Sequence, residues 1–391
     1  MPSTIRRWEG QSQDDLSLTP SDGPGKSGEH PHRKRTSVST TLDTYRLLGR
    51  SGLRVSPLSL GTMTFGEDWG WGTGKAEAQR ILDTYVDRGG NFVDTANMYT
   101  NGTSEQLLGQ LTQGRRDDLV LATKYTMITN PTDPNAGGNH RKSMVRSVER
   151  SLRNLQTDYI DLLYLHAWDF TTPVEEILRA MDDLVSQGKV LYVGISDAPA
   201  WQISRMQAIA DLRGWSPLVA LQVEYSLAER TIERELIPMA RELGLGVLPW
   251  SPLASGVLTG KYTAADLNHG GGEASAEGTR KNVAAGNNSL TERTLGIADV
   301  VKKVAERNGW TPAQVALAWT LLNPAVTSPI IGARTLTQLE QNLTALEVDL
   351  GEQDIAELEA VSAIELGFPH DFLQRPLTRS VVQAGLRIEA R

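Results

Sequence analysis

The sequence predicts an α/β fold: a single-domain (β/α)8 TIM barrel entered through an N-terminal β-hairpin. Three observations carry that reading. Eight brief β-prone runs alternate with longer segments whose apolar residues recur at three and four spacing. Alternation of that kind implies a parallel sheet, and eight is the number of strands that closes a barrel. Polar residues recur at the ends of successive strand candidates, where such barrels keep their active sites.

The hairpin comes first, with Tyr45–Leu48 and Leu53–Val55 flanking the turn residues Arg50, Ser51 and Gly52. The strand candidates are Leu58–Thr62, Asn91–Asp94, Leu119–Thr123, Tyr159–His166, Val190–Ile195, Val219–Val223, Gly246–Trp250 and Ser328–Ile331. Helical spacing marks Lys75–Arg88, Arg141–Leu155, Val174–Gln187, Ile232–Leu243, Thr294–Asn308, Pro312–Leu322 and Gln353–Ser362. The seventh strand breaks the rhythm. Ser251–Ser289 is long, glycine-rich at Gly270–Gly272, and is expected to be a functional or disordered loop. Residues 1–42, rich in Ser, Thr, Pro and mixed charge, are expected to be a disordered tail. The barrel is assigned to 43–368, and 369–391 to an irregular C-terminal extension.

Composition narrows the function. Lys and Arg number 39 against 47 Asp and Glu, a net charge of −8, so neither nucleic acid nor an acidic membrane surface is an expected partner. There is no cysteine, which excludes disulfides, thiol nucleophiles and Cys-based zinc sites, and suits a reducing cytoplasm. No run approaches the roughly 20 apolar residues of a membrane helix. Arg6 and Arg7 are followed by Glu9, Gly10 and Gln11 rather than an apolar core, so no export signal is read there. Metal catalysis is not expected: the six His include no His-Glu-x-x-His spacing. The Gly-x-Ser-x-Gly nucleophile turn, the Gly-x-Gly-x-x-Gly fingerprint after a strand and the full Gly-x-x-x-x-Gly-Lys-Ser/Thr phosphate loop are also missing.

Strand two ends at Asp94, followed by Thr95, Ala96, Asn97, Met98 and Tyr99. Strand three leads to Lys124, strand four to His166, and strand five to Ser196 and Asp197. Strand six carries Gln222, strand seven ends at Trp250 and Ser251, and strand eight leads to Gly332, Ala333 and Arg334. Each has an ordinary reading alone: a solvated Lys, a hydrogen-bonded core His, an Asp capping a helix, a buried Trp. Together they converge on one rim.

This ordered set resembles the aldo-keto reductases, over roughly Tyr45 to Phe368. The resemblance implies a catalytic tetrad of Asp94, Tyr99, Lys124 and His166. Those residue types suit carbonyl reduction. A carbonyl accepting hydride develops an alkoxide that needs a positioned acid. A phenol with a pKa near ~10 needs help, and a neighbouring ammonium lowers it. Asp94 is expected to hold Lys124 charged, and His166 to hydrogen-bond the substrate oxygen.

The resemblance further implies NADP (NADPH) as cofactor. The nicotinamide ring stacks on Trp250, and its amide meets Ser196, Asp197 and Gln222. Ser251 and Leu253 follow in the same motif. Gly332, Arg334, Gln338 and Asn342 complete the cofactor set. Arg334 is expected to grip a 2′-phosphate bidentately, which favours NADP over NAD. Two positions depart from the commoner pattern: Asp197 stands where Asn is frequent, and Gly332 where some members carry Lys.

Phe65, Trp69, Trp71, Met98, Tyr125 and Trp168 fall on the same rim and are read as the substrate pocket, an apolar cup for aldehydes or ketones with an apolar or aromatic body. Three other readings stand beside the reductase: an NAD-linked alcohol or sugar dehydrogenase, a non-catalytic NADP-binding regulatory subunit, and a Schiff-base lyase using Lys124.

Overall fold

Parallel pairing runs unbroken through eight strands. In the computed structural model, which describes residues 40–269, 284, 286, 287, 289–384 and 386, these are β3 (Ser59–Gly61), β4 (Phe92–Asp94), β5 (Val120–Tyr125), β6 (Ile160–Leu165), β7 (Val190–Ser196), β8 (Leu218–Glu224), β9 (Gly246–Trp250) and β10 (Ile330–Gly332). The order is β10-β3-β4-β5-β6-β7-β8-β9. Closure comes from the residues just before β10: Thr327 N–H donates to the Val247 carbonyl at 2.8 Å, and Val247 N–H to the Ala325 carbonyl at 3.3 Å. The sheet is thus a barrel.

Strand side chains alternate between barrel interior and helix layer. The interior holds Phe92, Ala122, Leu162, Tyr164, Ala220, Leu248 and Ile330. Space there is tight. A Cβ on Gly194 would lie 2.7 Å from the Tyr164 ring, so only glycine leaves room for that ring. The outward residues pack beneath the helices in a second, larger core that includes Leu60, Val93, Leu121, Leu163, Val193 and Val247.

The hairpin, β1 (Arg46–Leu47) against β2 (Arg54–Val55), closes the amino-terminal mouth. It inserts Leu48 and Val55, both fully buried, into the interior cluster. Arg46 donates to the Val326 and Thr327 carbonyls, and Arg50 N–H to the Gly244 carbonyl at 2.8 Å. Gly49 has φ +56°, and a Cβ there would meet the Val219 carbonyl oxygen at 2.3 Å.

Several expectations are corrected. Ile232–Leu243 is a 3₁₀ turn, Thr231–Glu233, followed by the helix Leu236–Leu243. Pro238 explains the late start, because proline is tolerated in the first turn but not the interior of a helix. Helices Thr103–Leu111 and Ala200–Arg213 complete the outer layer. The C-terminal segment is not wholly irregular: it carries helices His370–Gln374 and Pro376–Gln383. Leu42, assigned to the tail, is 5% exposed and belongs to the core. The rest of the tail before residue 40, and Gly270–Gly272, lie outside the described residues. No helix among the described residues is long and apolar enough to cross a membrane.

Truncating the plug tests this architecture. Leu48→Ala is expected to lower unfolding stability in urea by about 2–5 kcal/mol. Its KM should match wild type, because the hairpin lies at the mouth opposite the strand carboxyl ends.

Candidate active site

The strand register decides which residues meet. Ala122 pairs with Leu162, and Lys124 with Tyr164, so Lys124 faces inward two positions above Ala122. Asp94 pairs with Ala122 on the neighbouring strand. Backbone pairing continues past β4: Thr95 N–H reaches the Ala122 carbonyl, and Asn97 N–H the Lys124 carbonyl. That carries the chain to Tyr99. Thr100 and Asn101 then take left-handed φ values of +45° and +57°. The turn is held by Thr100 Oγ1, which donates to the Phe65 carbonyl at 2.7 Å and accepts from Ser104 N–H at 3.0 Å.

Lys124 Nζ sits at the centre. It donates to Asp94 Oδ1 at 2.5 Å, the Thr95 carbonyl at 2.8 Å and the Tyr99 hydroxyl at 3.2 Å, using all three ammonium protons. The other Asp94 oxygen accepts from Gln222 Nε2 at 2.9 Å. Burial works against the Lys124 charge, but Asp94 and the Tyr99 oxygen more than offset it and raise its pKa above the usual lysine value. Burial pushes the Tyr99 phenol up as well. Lys124 opposes that rise without cancelling it, so Tyr99 rests protonated, contrary to the expected net lowering. The His166 ring crosses Tyr99 edge-on, with centroids 6.0 Å apart. Burial, and then the Lys124 charge, press its imidazole down to about 3, so it is neutral.

Asp94, Tyr99 and His166 open onto a cleft of about 410 Å³, also lined by Trp69, Met98, Ser196, Asp197, Gln222, Trp250, Ser251, Leu253 and Gly332. Ser196 Oγ and His166 Nδ1 are buried here without a hydrogen-bond partner among the described residues. Buried polar atoms left open in a cleft suit a polar ligand. Trp250 is held by its indole N–H, which donates to Asp197 Oδ1 at 3.0 Å. Asp197 itself adopts φ +42°, and burial raises its carboxyl to about 6, with Trp250 and Lys124 opposing. The carboxyl-end loop of β9 is strained in the same sense: Ser251, Ala254 and Ser255 all have positive φ, and Ser255 N–H donates to Ser251 Oγ at 2.9 Å.

The strand-eight residues gather at the start of helix Leu336–Leu343. Gln338 Oε1 accepts from Arg334 N–H at 2.9 Å, and Asn342 Nδ2 donates to the Gly332 carbonyl at 3.2 Å. Both side chains therefore shape the turn. The Arg334 guanidinium is half-buried and forms no ion pair with a described residue.

Four residues read into the substrate pocket fall elsewhere. Tyr125 follows Lys124 on one strand and so points to the opposite face, where it is fully buried and donates to the Asn139 carbonyl. Phe65 is fully buried in the outer core. Trp71 is not on the cleft wall but packs against Trp69, with ring centroids 5.7 Å apart. Trp168 lines a neighbouring cavity on the far side of Trp250. The cleft instead recruits Met63, Met127, Ser255 and Asn287. Met63 follows strand one directly, a position open to the strand-end argument; Met127 and Asn287 lie on loops with no periodicity to mark them.

The profile of the aldo/keto reductase family matches residues 57–363. A norsolorinic acid reductase of Emericella nidulans is 42% identical over 333 residues, 83% of this chain and 82% of that protein. An aryl-alcohol dehydrogenase of Pestalotiopsis microspora is 38% identical, over 86% of this chain and 87% of that protein. An aryl-alcohol dehydrogenase [NADP(+)] of Phanerodontia chrysosporium is 36% identical, over 85% and 89%.

The neutral imidazole makes a pH prediction. The folded His166 value, about 3, lies below its unfolded reference of about 6.5. The unfolded chain therefore binds the extra proton between those values, and stability falls as pH drops through that window. Histidine NMR shifts should show one imidazole that does not titrate between about pH 5 and 8, and that resonance should vanish in His166→Gln.

Proposed function

The chain belongs to the aldo/keto reductase family, and on that footing we propose that Asp94, Tyr99, Lys124 and His166 perform its chemistry at the carboxyl end of the barrel. It is an NADP(H)-dependent oxidoreductase that reduces aldehyde or ketone carbonyls to alcohols. The observation that supports the residue assignment most strongly is the Lys124 ammonium between Asp94 and the Tyr99 oxygen.

NADPH, when bound, supplies hydride to the carbonyl carbon; the protein's residues manage the oxygen. Tyr99 gives its phenolic proton to that oxygen as negative charge builds there. Lys124 stabilises the phenolate left behind, and Asp94, steadied by Gln222, keeps Lys124 charged. Neutral His166 donates one hydrogen bond to the same oxygen and fixes its position. Trp250 provides a flat face for the nicotinamide, with Ser196 Oγ, Asp197 and the remaining amide valences of Gln222 toward its carboxamide. Ser251, Leu253 and Gly332 line the approach. The Arg334 guanidinium, which has no ion pair among the described residues, would meet the 2′-phosphate, while Gln338 and Asn342 hold the turn that presents it.

The substrate reading follows from the walls. Trp69 and the adaptable thioethers of Met63, Met98 and Met127 favour an apolar or aromatic carbonyl compound. The names of the relatives, aryl-alcohol dehydrogenase and norsolorinic acid reductase, agree with that class. A Schiff base on Lys124 is disfavoured, because that nucleophile must be a neutral amine and Asp94 keeps this one charged. We extend the proposal to a cytoplasmic setting, which the cysteine-free chain suits.

Tyr99→Phe should lower kcat for an aromatic aldehyde by about 10²–10⁴-fold while NADPH affinity stays within a few-fold. Wild-type turnover in that variant would refute the assignment of the acid. Arg334→Ala should weaken NADPH binding by roughly 10- to 100-fold and leave NADH binding unchanged, measured by fluorescence titration. Equal loss for both nucleotides would remove Arg334 from the phosphate site.

A further inference from the structure

Behind Trp250 lies a second cavity of about 480 Å³ that shares Asp197 and Trp250 with the catalytic cleft and adds Trp168, Glu224 and Glu229. Glu224 is the last residue of β8 and pairs in register with Trp250. Its carboxylate makes no hydrogen bond or ion pair with a described residue. Burial first, then the Glu229 and Asp197 charges, push that carboxyl up to about 7. Asp197 lines both cavities, with Oδ1 on the Trp250 indole N–H. No Lys or Arg lines either cavity among the described residues. Lys124, beneath, is neutralised by Asp94. The charge around the Trp250 ring is therefore negative in excess.

We propose that Asp197, reinforced by Glu224, makes the Trp250 platform discriminate between the two redox states of the nicotinamide, binding the oxidised ring in preference to the reduced one. The inference rests on the reading of Trp250 as the nicotinamide platform. Its physical basis is simple. The oxidised ring is a pyridinium cation and the reduced ring is neutral, whereas the rest of the two dinucleotides is the same. Every phosphate and adenine contact cancels in the ratio of their affinities, and the local charge at the ring remains. A carboxylate within a ring spacing or two favours the cation by roughly tenfold. The bound equilibrium then leans toward the oxidised cofactor, which favours carbonyl reduction relative to the free reactants.

The test is binding rather than turnover. Dissociation constants for NADP+ and NADPH are measured by calorimetry at about pH 8, where both carboxyls, at about 6 and about 7, are ionised. The proteins are wild type, Asp197→Asn, Glu224→Gln and Trp250→Leu. Asparagine keeps an oxygen to accept from the Trp250 indole, so the platform stays while the charge goes. The ratio Kd(NADPH)/Kd(NADP+) should fall roughly tenfold in Asp197→Asn and by a smaller factor in Glu224→Gln. Trp250→Leu should weaken both redox forms. An unchanged ratio in both carboxyl variants, with Trp250→Leu weakening both forms, would overturn the charge discrimination alone. Unchanged affinities in Trp250→Leu would overturn the platform reading and the proposal with it.

Discussion

The site depends on one buried ion pair, Lys124 with Asp94. Taking both charges out of water costs several kcal/mol per ion unless geometry and further hydrogen bonds compensate. Here they do. The ammonium spends its three protons on Asp94, the Thr95 carbonyl and the Tyr99 hydroxyl, and the carboxylate's second oxygen takes one from Gln222. Lys124 stands on β5, Asp94, Thr95 and Tyr99 at or just past the end of β4, and Gln222 on β8, so the pair also links these three strands. What remains is one protonated hydroxyl with a cation at its oxygen, open to the cleft. A single group thus supplies both the placement of Tyr99 and the means to stabilise its conjugate base.

The barrel explains how such a pair can be held. Below it the interior is apolar and crowded, from Phe92 and Leu162 to the plug residues Leu48 and Val55. Above it the inward positions turn polar within one step of the alternation: Lys124 above Ala122, Ser196 above Gly194, Gln222 above Ala220. Loops beyond the strands carry the strain. Thr100, Asp197 and Ser251 all hold left-handed backbone beside the site, and such conformations persist only where the surroundings impose them.

Much of this was legible in the sequence. The eight strands, most helices and the cleft-lining polar residues follow from periodicity, strand ends and the family likeness. Parity within a strand was the weak point. Tyr125 adjoins Lys124, and nearness in sequence suggested nearness in the pocket, yet the two point to opposite faces. Helix Ala200–Arg213 carries only a blurred apolar stripe in the sequence, because its buried face includes Gln202 and Gln207 beside Ile203 and Met206. The bond between Trp250 and Asp197, 53 residues apart, joins the ends of β7 and β9 across β8 and leaves no local trace. Met127 and Asn287 reach the cleft through loops whose paths no spacing reveals.

The central claim is that Lys124 acts on Tyr99 rather than on the cofactor or the fold. The most direct measurement is the single-turnover rate of aromatic aldehyde reduction by the NADPH-loaded Lys124→Met variant, with NADPH affinity taken on the same sample. The account predicts a rate at least about a hundredfold below wild type, with NADPH affinity within a few-fold. A wild-type rate, or a loss matched by an equal loss of NADPH affinity, would contradict it.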